Sequence, residues 1–392
     1  MPGTTLLINA GTVLSGRVDA PRLDADAVLV VDGRIAAIGS TGDLEAPEGA
    51  SVVDLGGATL APGLHDDHVH PVLGDWTPRQ RTVDFIDSSL HGGVTTMVSA
   101  GEPHTPGRPT DPAGVKALAI LAHRSFANAR PSGVKVHAGA VLLEPGLTED
   151  DFEEMAAAGV RLVGEIGISG VKDADVAAGM TRWAQARGMR VMVHTGGASI
   201  PGSGVIGADF VVAVRPDVAG HVNGGPTALP LSDVERILDE TDARIELVHN
   251  GNITMLGRIA AMARERGELD RVVVGTDSPA GSGVQPLGIL RVIASIASLG
   301  GVDGAIAVAT ATGTTAALHD LDTGVLEVGR AGDLVVLDAP LGSSASDAVG
   351  ALAIGDTPAV AVVVIDGELR VVKSRNTPPA VRTVTVTSGA GR

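Results

Sequence analysis

Residues 62–70 read Pro62-Gly63-Leu64-His65-Asp66-Asp67-His68-Val69-His70. If His65–His70 is a strand, alternate residues face the same way, so His68 and His70 project together and can share one metal ion. The downstream sequence supports a strand. Seven more strand-like runs come after it, at Val94–Ser99, Val134–Ala140, Val160–Ile166, Arg190–Thr195, Asp217–Val222, Arg244–Asn250 and Val272–Asp277. Segments of helical length and period alternate with them: Pro78–Leu90, Pro112–Ala129, Thr148–Ala157, Val171–Arg187, Ser232–Asp239, Ile253–Arg266 and Pro286–Ser298, with a weaker one at Ala208–Val214. Eight β/α units over roughly 250 residues are the count and size of a TIM (β/α)8 barrel. The competing doubly wound sheet usually carries a Gly-rich phosphate fingerprint, which is absent.

The two ends of the chain read differently. Leu6–Asn9, Ala27–Val31, Arg34–Ile38, Ser51–Leu55 and Ala58–Leu60 are short strand-like runs, and Asp32-Gly33 is a hairpin signal. Past Ala316, Asp333–Leu337 and Ala361–Ile365 are apolar runs, with a second hairpin turn at Asp366-Gly367. Neither end can bury a good core alone, so the two should share one small β-sandwich. The expected organisation is 1–62 as the N-terminal part of the sandwich, 63–322 as the barrel, and 323–392 as the C-terminal part plus tail. The tail after Asn376 reads as extended or disordered.

Composition narrows the function. The chain has 392 residues, with 29 basic and 46 acidic side chains and a formal charge of −17. Lys116, Lys135, Lys172 and Lys373 are the only lysines. That balance argues against a nucleic-acid partner, which needs a basic footprint. There is no Cys, which removes disulfides, thiolate metal sites and thiol nucleophiles. No apolar run reaches membrane-spanning length, and the N-terminus lacks signal-peptide character, so a cytoplasmic protein without a membrane partner is expected.

Ligand-type residues sit at the ends of the predicted strands. His68 and His70 end the first, Glu165 the fourth, His194 the fifth, His221 the sixth and Asp277 the eighth. TIM-barrel enzymes build their sites at this end, and four imidazoles with two carboxylates form a ligand set for two divalent ions. Taken singly, each has an ordinary structural reading: a satisfied polar His, or a Glu paired with Arg. The joint pattern over five strands favours metal.

These residues carry a family resemblance. Residues 62–70 resemble the Pro-Gly-x-x-Asp-x-His-x-His segment of the amidohydrolase superfamily. Val31–Gly39 and Gly332–Asp338 resemble its composite β-domain. Within the superfamily, Gly74–Thr82, Leu90–Met97, His194–Gly197, Val222–Thr227 and Lys373–Pro379 resemble the enamidases, which hydrolyse a cyclic enamide in nicotinate breakdown. The resemblance implies that His68, His70 and Asp277 hold one metal and that His194 and His221 hold the other, with Glu165 bridging. Many members bridge with a carbamylated Lys. No Lys ends the fourth strand; Lys172 lies past it, and Lys135, at the start of the third, is the alternative. His65 departs from the usual aliphatic residue, Asp67 could brace a ligand imidazole, and His249 is atypical.

The implied reaction is opening of a cyclic amide by a metal-bridging hydroxide, with Asp277 as the catalytic proton carrier. By resemblance, 6-oxo-1,4,5,6-tetrahydronicotinate would give 2-formylglutarate and ammonia. The metals would be Zn, with Fe possible in one site, in a homotetramer. The substrate's carboxylate needs a local cation or donor: Arg79 or Arg81 after the first strand, which as readily cap or decorate the first helix, or His104 and His249 at the mouth, which otherwise support the site or face solvent; Trp76 reads either as closing the pocket or as a loop anchor. His91, His123, His137 and His319 read as structural. Other cyclic amide or imide hydrolysis, lactone hydrolysis, mononuclear deamination and a non-catalytic homologue are the alternatives.

Overall fold

The computed structural model of the protein describes residues 3–71, 82–102, 105, 107–168, 170–197, 204–224, 227–279 and 283–387, with only the backbone for 82–84. The eight central runs are parallel strands: Leu64–Val69, Val94–Ser99, Lys135–His137, Leu162–Ile166, Arg190–His194, Val218–Gly220, Arg244–Val248 and Val272–Gly275. The first three pair in sequence order, as do the last five. Parallel bridges Val141↔Val163 and Val69↔Ser278 join the two groups at both seams, so the sheet closes into a TIM barrel. The third and sixth strands are shorter than their apolar runs suggest, three residues each.

The crossover helices arise from local signals. Pro112–Asn128 begins with Pro inside a cap made by Asp111, which accepts from Gly114 N at 2.9 Å. Ile253–Arg266 is capped by Asn252 and stopped by left-handed Gly267. The weak segment Ala208–Val214 is a helix, and its cap explains the faint sequence signal. Its N-terminal donor, Ala208 N, reaches Asp233 Oδ2 on the next helix at 3.0 Å, a tertiary contact in place of a local one. The helix expected from Pro78 is seen from Thr82 to Leu90, and Pro78–Arg81 lie outside the described residues.

Both chain ends build a β-sandwich. One sheet orders Thr385–Thr387, Ser51–Asp54, Thr5–Ile8, Ala27–Val31 and Arg34–Gly39; the other orders Glu368–Val371, Ala359–Ile365, Leu334–Asp338, Thr59–Pro62, Thr12–Leu14 and Arg22–Leu23. Leu7, Val28, Val53, Leu60, Val336 and Val364 belong to the shared core. Asp32 and Gly33 both have positive φ (48° and 78°), as the hairpin signal requires, and so do Asp366 and Gly367. The tail is not wholly free. Thr385–Thr387 pairs antiparallel with Ser51–Asp54, and Arg382 anchors it by bonding the buried Asp338 carboxylate through its backbone N and its guanidinium. No described helix is long and apolar enough to cross a membrane.

The eighth strand closes on the first at Gly275. A Cβ there would lie 2.4 Å from His68 Cβ and 2.9 Å from His68 N. Gly275→Ala is therefore expected to cost about 1–3 kcal/mol through overpacking. It should also push the first strand away from the eighth, which urea denaturation and metal content measured together would show.

Candidate metal centre

His68 lies in the first strand and His70 just beyond it. Glu165 is in the fourth strand and His194 ends the fifth. His221 comes directly after the sixth strand and Asp277 lies two residues past the eighth. The structure gathers all six into two groups, His68/His70/Asp277 and Glu165/His194/His221, with the ligand atoms of each within 4.8 Å of one another. His68 Nε2 is 3.2 Å from His70 Nε2, and His70 Nε2 is 3.2 Å from Asp277 Oδ1. In the second group, Glu165 Oε1 lies 2.7 Å from His221 Nε2 and 3.1 Å from His194 Nδ1. The same carboxylate reaches the first group, Oε1 at 3.7 Å from His68 Nε2 and Oε2 at 3.8 Å from His70 Nε2. Glu165 thus stands between the two groups. The alternative bridge, Lys135, sits at the other end of its strand, with Nζ bound to Asp333 at 2.7 Å and Asp366 at 2.9 Å.

The chemistry of the donors fits cations. His68 Nδ1 lies 2.8 Å from Glu246 Oε2, and His70 Nδ1 lies 2.9 Å from the Gly101 carbonyl oxygen. Both partners only accept, so the Nδ1 atoms donate and both Nε2 atoms turn lone pairs toward each other. Two lone pairs 3.2 Å apart, beside two carboxylates, call for a shared positive charge. In the protein without metal, protons answer that demand. Burial disfavours the charged His68 ring, yet Glu246 and Glu165 outweigh it and hold its pKa well above the usual imidazole value. Burial likewise opposes ionisation of Glu165, but His68, His194 and His221 keep its pKa well below the carboxylate norm. Asp277 is also lowered, burial being overcome by His70, His68 and His221. His221 and Asp277 take positive φ (33° and 58°), local strain of the kind proteins keep at functional sites. Asp277 is the open member: its side chain is 23% exposed, whereas those of the other five are 7% or less.

No family model matches the chain. The enamidase of Eubacterium barkeri is 52% identical over 378 residues, covering 96% of this chain and 98% of its own. A crystal structure of enamidase, described as a member of the amidohydrolase superfamily, superposes with a TM-score of 0.95 at 51% identity, covering 98% of this chain and 100% of that one. The chain belongs to the enamidase family. A D-hydantoinase from Thermus sp. shares the fold, with a TM-score of 0.66 at 18% identity over 99% of this chain and 98% of that one.

Several sequence expectations for this enamidase homologue need revision. Asp67 does not brace a ligand imidazole. Neighbouring strand residues face opposite ways, and Asp67 Oδ1 takes a hydrogen bond from His319 Nε2 at 2.6 Å instead. The bracing residue is Glu246, which the sequence reading missed. Its signal was a lone carboxylate in the otherwise apolar centre of Arg244-Ile245-Glu246-Leu247-Val248, fully buried in the fold. Asp66 was also missed; it receives Thr276 N at 2.8 Å and Thr276 Oγ1 at 2.7 Å, tying the first strand to the end of the eighth. Burial raises the Asp66 pKa to about 7 against those bonds. His249 lines a cavity of about 430 Å³ with Ile253, Leu256, Arg291 and Thr357, and none of the six gathered residues lines that cavity. The next residue, Asn250, donates its Nδ2 to the Asp277 carbonyl at 2.5 Å. Arg79, Arg81, His104 and Trp76 lie outside the described residues.

His65 points to a pH effect. Its two ring nitrogens are buried with no partner among the described residues. Burial, then His137, His319 and Lys135, lower its pKa to about 3. The unfolded chain protonates this ring first as pH falls through about 6.5, so stability drops from there toward pH 3. His65→Leu is expected to flatten that acid limb, by up to about 1.4 kcal/mol per pH unit. Urea denaturation between pH 7 and 4 at constant metal loading checks it.

Proposed function

We propose that the protein is a binuclear metal-dependent hydrolase that opens a cyclic amide, as an enamidase does. The observation that carries this reading is Glu165 between the two groups of donors; near-full-length identity to an enamidase supports it. His68, His70 and Asp277 would hold one divalent ion, His194 and His221 the other, and Glu165 both. Such ions, when bound, supply a Lewis acid for the amide carbonyl and make water acidic enough to serve as a nucleophile near neutral pH. Imidazole and carboxylate donors suit Zn, with Fe possible at one position.

The chain's own residues complete the chemistry. Against the cost of burial, the surrounding imidazoles hold the Glu165 and Asp277 pKa values low in the metal-free protein, and both carboxylates would offset the charge of bound ions. Asp277, the half-buried carboxylate, takes the proton from the attacking water and delivers it to the leaving ring nitrogen. For 6-oxo-1,4,5,6-tetrahydronicotinate, C–N cleavage leaves an enamine acid. Further hydrolysis then gives 2-formylglutarate and ammonia, placing the reaction in nicotinate degradation. By sequence position Arg79 and His104 come after the first and second strands, and they are our candidates for the substrate's carboxylate. Resemblance to the enamidases also underlies our reading of a cytoplasmic homotetramer.

Metal analysis with a substrate panel tests the proposal. Two metal equivalents and turnover of the cyclic enamide above lactams, imides and lactones are expected. Turnover of imides or lactones alone would reassign the substrate class, and no metal would overturn the mechanism. Asp277→Asn should lower kcat roughly 10²–10⁴-fold, the usual share of general acid–base catalysis. The kcat measurement is to be made on enzyme whose metal content has been verified.

A further inference from the structure

Glu246 is the residue through which the two donor groups touch a common support. It sits mid-strand on the seventh barrel strand with no exposed surface. Its Oε2 carries two bonds at once, from His68 Nδ1 at 2.8 Å and from the backbone N of His221 at 2.9 Å. The first partner belongs to the group with His70 and Asp277, the second to the group with Glu165 and His194. Its backbone carbonyl adds a third hold, accepting Val222 N at 3.0 Å. His221 is therefore gripped on both sides of a residue whose φ of 33° is unfavourable for a side chain with a Cβ. Oε1 has no partner among the described residues, so one oxygen does the joining.

We infer that Glu246 is a positioning residue that sets both halves of the metal centre together, aiming the His68 Nε2 lone pair and fixing the His221 backbone turn through a single acceptor oxygen. The inference rests on the two-metal reading above. A carboxylate behind one metal-bound imidazole is an ordinary arrangement and affects one ion. Here the same oxygen also holds the main chain of a donor in the other group. Loss of Glu246 must therefore weaken both positions, although Glu246 is itself a donor in neither group.

Three variants test this on the full-length holoenzyme. Glu246→Leu keeps volume but removes the acceptor, Glu246→Gln keeps an acceptor oxygen, and His70→Ala removes a donor from one group only. Each is loaded with Zn²⁺ or Co²⁺ and dialysed against graded chelator. Metal content and the cobalt absorption spectrum are then read. We expect Glu246→Leu to lose both equivalents at free metal where the unaltered enzyme keeps two, each weakened 10–100-fold. His70→Ala should keep the equivalent held by the other group. Glu246→Gln should retain both within about threefold, with a near-native cobalt spectrum, because its oxygen can accept both bonds. Loss of only one equivalent in Glu246→Leu, or none, overturns the inference. If that variant does not fold, loss of either equivalent in Glu246→Gln overturns it. Failure of the unaltered enzyme to bind metal is a separate result, which removes the two-metal reading itself.

Discussion

Four imidazoles and two carboxylates are crowded into one nearly dry space, and that crowding requires positive charge. As neutral rings, His68 and His70, whose Nε2 atoms lie 3.2 Å apart, would turn lone pairs toward one another, because Glu246 and Gly101 claim the proton on the far side of each ring. Glu165 lies buried within reach of all four rings. Such an arrangement is costly without cations and favourable with them. It therefore requires a rigid frame, and the closed barrel provides one.

The frame is tightest where the first and eighth strands meet. Asp66 bonds Thr276 across that seam, the Asp277 amide donates to the His68 carbonyl at 3.0 Å, and Gly275 leaves room for the His68 backbone. Donors from the two extremes of the barrel sequence are thereby placed side by side. The sandwich is fastened to the opposite end by Lys135, bound to Asp333 and Asp366, and by Arg130, bound to Asp366 at 2.7 Å. The lysine that sequence alone allowed as a metal bridge is thus a clamp between the barrel and the sandwich.

Histidine serves two physical purposes in this fold. At the metal end, carboxylates favour the charged ring and raise His68 and His221. Toward the other end, burial and neighbouring cations favour the neutral ring, taking His137 to about 4 and His65 to about 3. The same side chain is a candidate ligand in one place and a neutral packing group in the other, and the sign of the local potential separates the two roles.

The sequence by itself determined the barrel, the shared β-sandwich and the six gathered residues. Strand alternation, helical period and turn residues are local properties, and the donors stand at strand ends where the period places them. The hairpins at Asp32-Gly33 and Asp366-Gly367 were legible for the same reason. Only the tertiary structure decided which groups stand behind the donors. Glu246 looked like any strand carboxylate until the fold set His68 and the His221 backbone against it, Asp67 turned to His319, and Asn250 bonded the Asp277 backbone. Those partners lie up to 252 residues away along the chain. No local pattern encodes such pairings, because they exist only once the barrel has closed.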